Sequence, residues 1–262
     1  MKNFIFTCLA IFAFAQARNF NEITSSKKLI AAMRVMESVY DEKSGSPAGL
    51  QYEILKKFAE SKGLQLQVEK VDVIDKYFEE TGGKPAILSK ADIVADVITV
   101  LPEREKIYAF VKIFPIKQIL ISKKGNPVAN WDDLKGKTII VTKKTSYEAN
   151  LILVEKKIGT TFKYFYTPAT DQQVPSLLSG KGDVTVLDSN LAALRLFDGD
   201  LILNCAITKT QNIGWGIAKD DSAFLNELNT FINKALQDGT IEAIWNKSIE
   251  AIDYKSYLAI AQ

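Results

Sequence analysis

Short apolar segments of strand type alternate with helical segments along the chain. The first strand-like segments are residues 30–36, 64–68 and 91–100, and a helical pattern over 50–61 separates the first two. Apolar residues three and four positions apart mark this helix, whereas strict alternation marks the strand at 64–68. Strands that alternate with helices predict an α/β fold with parallel strands and helices on the sheet faces.

A second unit of the same kind follows. Its predicted strands are residues 118–122, 138–142, 162–166 and 184–187, and its predicted helices are residues 131–134, 146–157, 172–179 and 189–197. We also predict a helix over 74–88 that is interrupted around Gly82 and Gly83, a strand over 214–218 and a long amphipathic helix over 224–244. No linker separates the two units, so we expect a ligand pocket at their interface.

The N-terminus has the pattern of a secretory signal. A positive start at Lys2 precedes an apolar run over 4–14 and small residues around Ala15 and Ala17. This pattern predicts a cleaved signal peptide over residues 1–17 and a periplasmic or secreted protein, the alternative being an ordinary N-terminal helix. The apolar run is too short for a stable membrane-spanning helix.

Composition excludes several classes of function. The formal net charge is only +2, which argues against a nucleic-acid partner. The chain has no histidine, so His-dependent catalytic triads and His metal sites are excluded. Nucleotide-loop and metal motifs are also missing, and we expect neither a cofactor nor a metal.

The strand at 91–100 ends in a segment that suits a small carboxylate. Arg104 follows Thr99 by five residues, after a break at Pro102. Ligands of open α/β sheets bind at the carboxyl ends of strands, and a guanidinium binds a carboxylate through two parallel hydrogen bonds. The alternative is an ordinary surface arginine.

Several segments resemble the type II periplasmic solute-binding proteins, above all their amino-acid-binding branch. Residues 97–104 are similar to the family pattern GLTITPER, and residues 131–137 contain a close form of its DLKGK turn. The other matching segments are residues 48–55 with 63–64, 182–188 and 231–245. Their order and spacing cover nearly all of the chain after the predicted signal peptide.

This resemblance implies the fold and the partners. The fold is α/β and two-lobed, of the periplasmic-binding-protein type II, with mostly parallel sheets and two crossover strands. The implied first lobe is residues 18–115 with 213–262, and the second is residues 116–212. One implied partner is a small-molecule ligand, namely an amino acid, and the other is a membrane permease of the ABC type. The protein is expected to be a monomer.

The resemblance also implies a binding site. Arg104 would bind the ligand α-carboxylate, with Thr99 as a second contact, and Asp188 would bind the α-ammonium group. Thr145 and Ser146 would open a helix whose N–H groups add to the carboxylate site. The alternative role for Asp188 is to cap the following helix.

Four further residues are candidates near the ligand side chain. Glu37 and Asp96 would favour a cationic or polar side chain if both face the cleft; otherwise Glu37 is solvated and Asp96 caps a turn. Tyr40 is a candidate aromatic wall. Tyr147 either stacks on the ligand or faces solvent.

The sequence departs from the family pattern at two glycine positions. Lys144 and Val97 stand where the family has glycine. Larger side chains at these positions are expected to reshape the pocket.

The resemblance leaves three functions open. The first is solute binding without catalysis, for ABC-type uptake. The second is a sensory, regulatory or cell-wall-fragment-binding module, because residues 49–66 also resemble the solute-binding-like domain of membrane-bound lytic transglycosylases. The third is a dehydratase-like enzyme on the same fold, with Glu37 or Asp96 as its acid.

Overall fold

The computed structural model describes residues 17–36, 38–42, 45–195 and 199–262. In chain order its strands are β1 (Lys28–Arg34), β2 (Gln65–Val71), β3 (Glu80–Thr81), β4 (Lys84–Pro85), β5 (Ile93–Thr99), β6 (Ala109–Ile116), β7 (Gln118–Lys123), β8 (Thr138–Thr142), β9 (Lys163–Thr167), β10 (Val184–Asp188), β11 (Leu201–Ala206) and β12 (Gln211–Ile217). Its α-helices are α1 (Phe20–Ser26), α2 (Leu50–Ser61), α3 (Ser146–Ile158), α4 (Gln173–Leu178), α5 (Ser189–Ala193), α6 (Ser222–Gln237), α7 (Thr240–Ser248) and α8 (Tyr254–Ala261).

Two five-stranded sheets organise the molecule. The first has the strand order β2-β1-β5-β12-β6, and the second has the order β11-β7-β10-β8-β9. The short hairpin β3–β4 stands apart from both. Each large sheet has its own apolar cores, which on the first sheet include Trp215 and Trp245 and on the second Leu151 and Val184. Because the chain joins the sheets only through β6–β7 and β11–β12, the fold is two-lobed, as predicted.

The sheets are mixed, which corrects the prediction that they are mostly parallel. In the first sheet β1 runs parallel to β2 and β5, but β12 runs antiparallel to β5 and β6. In the second sheet β8 runs parallel to β9 and β10, but β7 runs antiparallel to β10 and β11. The antiparallel pairs arise because the strands that carry the chain between the sheets also pair within them.

Three helix predictions need correction. Residues 74–88 form two 3-10 helices, Ile74–Tyr77 and Ala86–Ser89, around the β3–β4 hairpin. Gly82 and Gly83 both adopt positive φ there, which turns the chain and cannot continue a helix. The predicted helix over 224–244 is divided into α6 and α7 by Gly239 in the left-handed conformation. The helix predicted over 189–197 is α5, which ends at Ala193, and residues 196 and 197 lie outside the described part of the chain.

Some predictions fall outside the described residues or stay untested. Residues 1–16 of the predicted signal peptide and Glu37 lie outside the described part of the chain. The lobe bounds, 18–115 with 213–262 and 116–212, stay a prediction of which residues move together.

Candidate functional site

Polar contacts close the cleft between the two sheets. Thr99 Oγ1, at the end of β5, lies 3.2 Å from Ser146 Oγ at the start of α3. Arg34 Nη1, at the end of β1, donates to Thr170 Oγ1 at 3.4 Å. Each contact joins an element of the first sheet to an element of the second, so the described structure is a closed form.

Arg104 presents a buried guanidinium to this cleft. Its Nη1 donates to the carbonyl oxygen of Thr99 at 2.9 Å, and its guanidinium carbon lies 4.7 Å from the centre of the Phe78 ring. It lines a cavity of about 570 Å³ together with Thr145 and Ser146. Burial lowers the pKa of Arg104, and the nearby charge of Asp188 opposes that effect. The sequence therefore places a desolvated positive charge where the prediction requires one.

The start of helix α3 forms the opposite wall. Thr145 is the N-cap of α3, since its Oγ1 accepts the N–H of Glu148 at 3.4 Å. The same hydroxyl donates to the carbonyl oxygen of Thr142 at 2.7 Å. Ser146 Oγ accepts from Nε2 of Gln118 at 2.9 Å. These bonds orient the free N–H groups of the helix start, which carry positive partial charge and favour anions.

Asp188 ends strand β10 and is buried with one oxygen unsatisfied. It occupies the N-cap position of α5, but its side chain makes no capping hydrogen bond, so the capping alternative is not adopted. Its Oδ1 has no hydrogen-bond partner among the described residues. Burial raises the pKa of Asp188 to about 7, although Gln118, Tyr147 and the charge of Arg104 act in the opposite direction. Such a carboxyl group is expected to gain stability from a cationic partner.

Asp96, unlike Asp188, has an arginine as a direct hydrogen-bond partner. Its oxygens accept from Nε and Nη2 of Arg34 at 2.9 and 2.7 Å, and from the hydroxyl of Tyr77 at 2.7 Å. Burial alone would raise the pKa of Asp96, but Arg34 and these hydrogen bonds lower it overall. Asp96 therefore neither caps a turn nor faces the cleft, and the argument for a cationic ligand side chain loses one of its two acids.

Arg34 is a residue that the sequence analysis missed. It is buried and lines a cavity of about 420 Å³ with Thr142, Thr167 and Thr170. Burial would lower its pKa, but Asp96 raises it overall, so the guanidinium stays charged. The available signal was an arginine at the end of an apolar strand, directly after Met33.

The two candidate tyrosines lie in apolar surroundings. Tyr147 is buried, and its hydroxyl accepts the backbone N–H of Asp188 at 3.1 Å, so it does not face solvent. Tyr40 is buried in the core of the first sheet, where its ring lies 5.3 Å from that of Tyr52 and its hydroxyl bonds to Glu42. Its role as an aromatic wall stays a prediction.

Lys144 stands at the mouth of the cleft. Its φ of 59° is in the left-handed region, so the backbone keeps the conformation that favours glycine. Its N–H donates to the Glu148 carboxylate at 2.7 Å, and its Nζ lies 3.7 Å from Oδ2 of Asp75 across the cleft. At this position the change from the family's glycine thus adds only an exposed side chain, whereas the side chain of Val97 is buried in the core of the first sheet.

A family model described as bacterial extracellular solute-binding proteins, family 3, matches residues 31–251. The chain belongs to this family. Among curated relatives, the membrane-bound lytic murein transglycosylase F of Pseudomonas putida (strain GB-1) is 28% identical to this family 3 chain over 235 residues. The match covers 84% of this chain and 46% of the relative, so the chain spans about half the length of the curated relatives it matches.

Two solved structures share the fold of this family 3 protein. The solute receptor for L-cysteine of Neisseria gonorrhoeae has a TM-score of 0.77 and 17% identity, covering 91% of this chain and 98% of that chain. A putative binding component of an ABC transporter from Wolinella succinogenes, complexed with lysine, has a TM-score of 0.73 and 22% identity, covering 87% and 97%. Both resemblances drawn from the sequence, to the solute-binding proteins and to the transglycosylase domain, are confirmed. No helix in the described part of the chain is long and apolar enough to cross a membrane.

Proposed function

We propose that the protein is an extracytoplasmic binding protein that encloses a small carboxylate-bearing solute, an amino acid, between its two lobes. The observation that carries this proposal is a buried guanidinium and a buried carboxyl group on opposite sides of the cleft. Arg104 follows β5 of the first sheet, Asp188 ends β10 of the second, and Asp188 Oδ1 has no partner among the described residues.

A zwitterion satisfies both groups at once. Its carboxylate suits the Arg104 guanidinium and the N–H groups at the start of α3, and its ammonium suits Asp188. Because the two sites belong to opposite lobes, the ligand contacts both of them only in the closed form. Closure is then favoured by the difference between the ligand's affinities for the two forms.

Membership of family 3 supports solute binding as the role of the chain. We propose delivery to an ABC-type permease, action as a monomer and no catalysis, so the purified protein should not turn over prephenate or arogenate. The lysine complex and the L-cysteine receptor among the similar structures support an amino acid as the ligand.

A calorimetric titration tests the proposal after a thermal-shift screen of the natural amino acids. A ligand that binds only the native state raises the melting temperature by mass action. Replacement Arg104→Ala should then weaken binding of the ligand by about 2–5 kcal/mol, because it leaves a carboxylate unpaired in a dry cleft. Lys112→Ala, at an exposed lysine on β6 of the same sheet, is the matched control and should bind like the wild type.

Two results would reject this assignment. One is an Arg104→Ala variant that binds the ligand as tightly as the wild type. The other is a screen in which no amino acid raises the melting temperature.

A cell-wall peptide fragment is the second candidate ligand. The cavity beside Arg34 shares Val35, Met36, Thr170 and Asp171 with a neighbouring cavity of about 240 Å³. This shared lining extends the space beyond what a single amino acid fills, and the relatives named as murein transglycosylases support the same class of ligand. Muropeptides that bind in the same screen while free amino acids do not would favour this function.

A further inference from the structure

One edge of the Arg34 guanidinium is left for a ligand. Nε and Nη2 are both occupied by Asp96, whereas among the described residues Nη1 has only the long 3.4 Å contact with Thr170 Oγ1. That edge lines the cavity of about 420 Å³ between the sheets. The pairing with Asp96 fixes the orientation of the guanidinium. A ligand that binds the free Nη1 donors therefore does not have to restrict the rotamers of the Arg34 side chain, which lowers the entropic cost of binding.

Asp96 cannot turn to take those donors. Its carboxylate also accepts the backbone N–H groups of Arg34 at 3.1 Å and Val97 at 2.6 Å, and the hydroxyl of Tyr77. The carboxylate is fully buried behind Arg34, on the side away from the cavity. Asp96 therefore fixes the Nε and Nη2 edge of the guanidinium, and the Nη1 edge stays accessible to a ligand.

Three acids also line the cavity, and each of them is exposed or half-buried. Asp72 accepts the N–H of Val73, Asp75 lies near Lys144, and Asp171 is exposed. The remaining cation of the lining, Lys143, is exposed and lies 4.6 Å from the centre of the Tyr166 ring. An anionic group that enters the cavity thus meets Arg34 at its buried end.

We propose that Arg34 is a specificity-determining residue that binds a second carboxylate of the ligand through its free Nη1 edge. This inference rests on the proposed function, in which Arg104 holds the α-carboxylate and Asp188 the ammonium. The ligand class is an amino acid with an acidic side chain, or a short peptide with a second carboxylate. An acidic group on the ligand thus takes the place of the cationic ligand side chain that Glu37 and Asp96 would favour.

Matched acid and amide ligands test this in the wild-type protein. Glutamate should bind at least roughly tenfold more tightly than glutamine, and aspartate more tightly than asparagine, because the amide cannot form the charged pair. γ-Glutamyl-alanine, whose second carboxylate lies farther from the α-carbon, separates the two sources: tighter binding than glutamate indicates a peptide, and weaker binding indicates a free amino acid. Equal or tighter binding of the amides would overturn the inference.

A double substitution assigns the preference to Arg34. The variant Arg34→Gln with Asp96→Asn replaces the buried ion pair by two amides, which avoids an unpaired buried charge. The ratio of glutamate to glutamine affinity should fall to about one, whereas a purely structural role would weaken both ligands equally and leave the ratio unchanged.

The matched control is Arg18→Gln with Asp92→Asn. This second arginine–aspartate pair lies at the edge of the first sheet, where Asp92 directly precedes β5 and Arg18 Nη2 is 2.6 Å from Asp92 Oδ2, but it lines none of the cleft cavities. It should keep the wild-type ratio. An unchanged ratio in the Arg34 variant, with binding still lost in Arg104→Ala, overturns this inference alone. A wild-type protein that binds none of these ligands overturns the proposed function as well.

Discussion

Asp96 and Asp188 are both buried aspartates, one in each sheet, and their surroundings differ. Asp96 lies within β5 and has Arg34, Tyr77 and two backbone N–H groups as partners. Asp188 ends β10, and its Oδ1 lacks a partner among the described residues. Their pKa values shift in opposite directions as a result, lowered for Asp96 and raised to about 7 for Asp188.

This difference separates a structural carboxylate from one that is prepared for a ligand. Burial costs free energy at both positions. The protein offsets that cost at Asp96, but only in part at Asp188, where Gln118, Tyr147 and the charge of Arg104 act against it. A cation that arrives from outside offsets the remaining cost at Asp188. The Asp96 carboxylate is therefore stabilised by the protein alone. The Asp188 carboxylate is stabilised fully only when a cationic group of the ligand binds to it.

Removal of Asp96 should have the largest effect on stability. Asp96→Ala leaves the Arg34 guanidinium buried without its counter-charge, and the free energy of unfolding should fall by about 3–5 kcal/mol. Urea unfolding followed by circular dichroism measures this. Glu60→Gln, which breaks the exposed pair with Lys57, is the control and should cost less than about 1 kcal/mol. Similar losses in the two variants would remove the distinction drawn for Asp96.

The pH dependence of stability should depend on Asp188. Its native pKa of about 7 lies above its unfolded value, so between about pH 4 and 7 the native state holds a proton that the unfolded chain has lost. Its contribution to the free energy of unfolding therefore increases as the pH falls from 7 towards 4. The Asp188→Asn variant does not titrate at this position.

Urea unfolding of the unliganded wild type and of Asp188→Asn over pH 4–8 tests this directly. The difference, variant minus wild type, should grow with pH by on the order of 3–4 kcal/mol. A difference that stays constant over this range would show that Asp188 is not desolvated in the native protein.

Tyr147→Phe should give the smallest of these effects. Loss of the hydroxyl leaves the buried N–H of Asp188 without its acceptor, and the free energy of unfolding should fall by roughly 1–2 kcal/mol. Tyr166→Phe, at a ring that is 40% exposed, should change it by less than about 0.5 kcal/mol. Thermal unfolding of both variants makes the comparison, and equal midpoints would show that the Tyr147 hydroxyl has no stabilising role.

Local patterns were sufficient for the elements with a clear periodicity. The helix predicted over 50–61 is α2, because Leu50, Ile54, Leu55 and Phe58 form the buried stripe that its spacing indicates. Strand β6 was missed because Lys112 and Pro115 interrupt its apolar pattern, and its pairing with β12 brings together residues far apart in the chain. The interruption predicted at Gly82 and Gly83 is confirmed, but the helix predicted on either side is replaced by two 3-10 helices and the β3–β4 hairpin.

The site was predictable where its residues follow strands and was not where they pair at a distance. Thr99, Arg104 and Ser146 each stand beside a strand end or a helix start, and the fold brings them together. Arg34 and Asp96 are 62 positions apart, so the residues around either of them do not reveal their pairing. The sequence pattern therefore predicts Asp96 as a ligand contact or a turn cap and does not single out Arg34.

Lys144 gives the closed form a dependence on dissolved salt. A glycine at this position would adopt φ 59° without the strain that a side chain brings. A long cationic side chain is needed, however, to reach Asp75 on the far side of the opening. Because this tether is solvent-exposed, added electrolyte shortens the range of its attraction, to about 3 Å at 1 M ionic strength. The fraction of unliganded protein in the open form should consequently be larger at 1 M salt than in dilute buffer. Lys144→Gly should abolish this salt dependence.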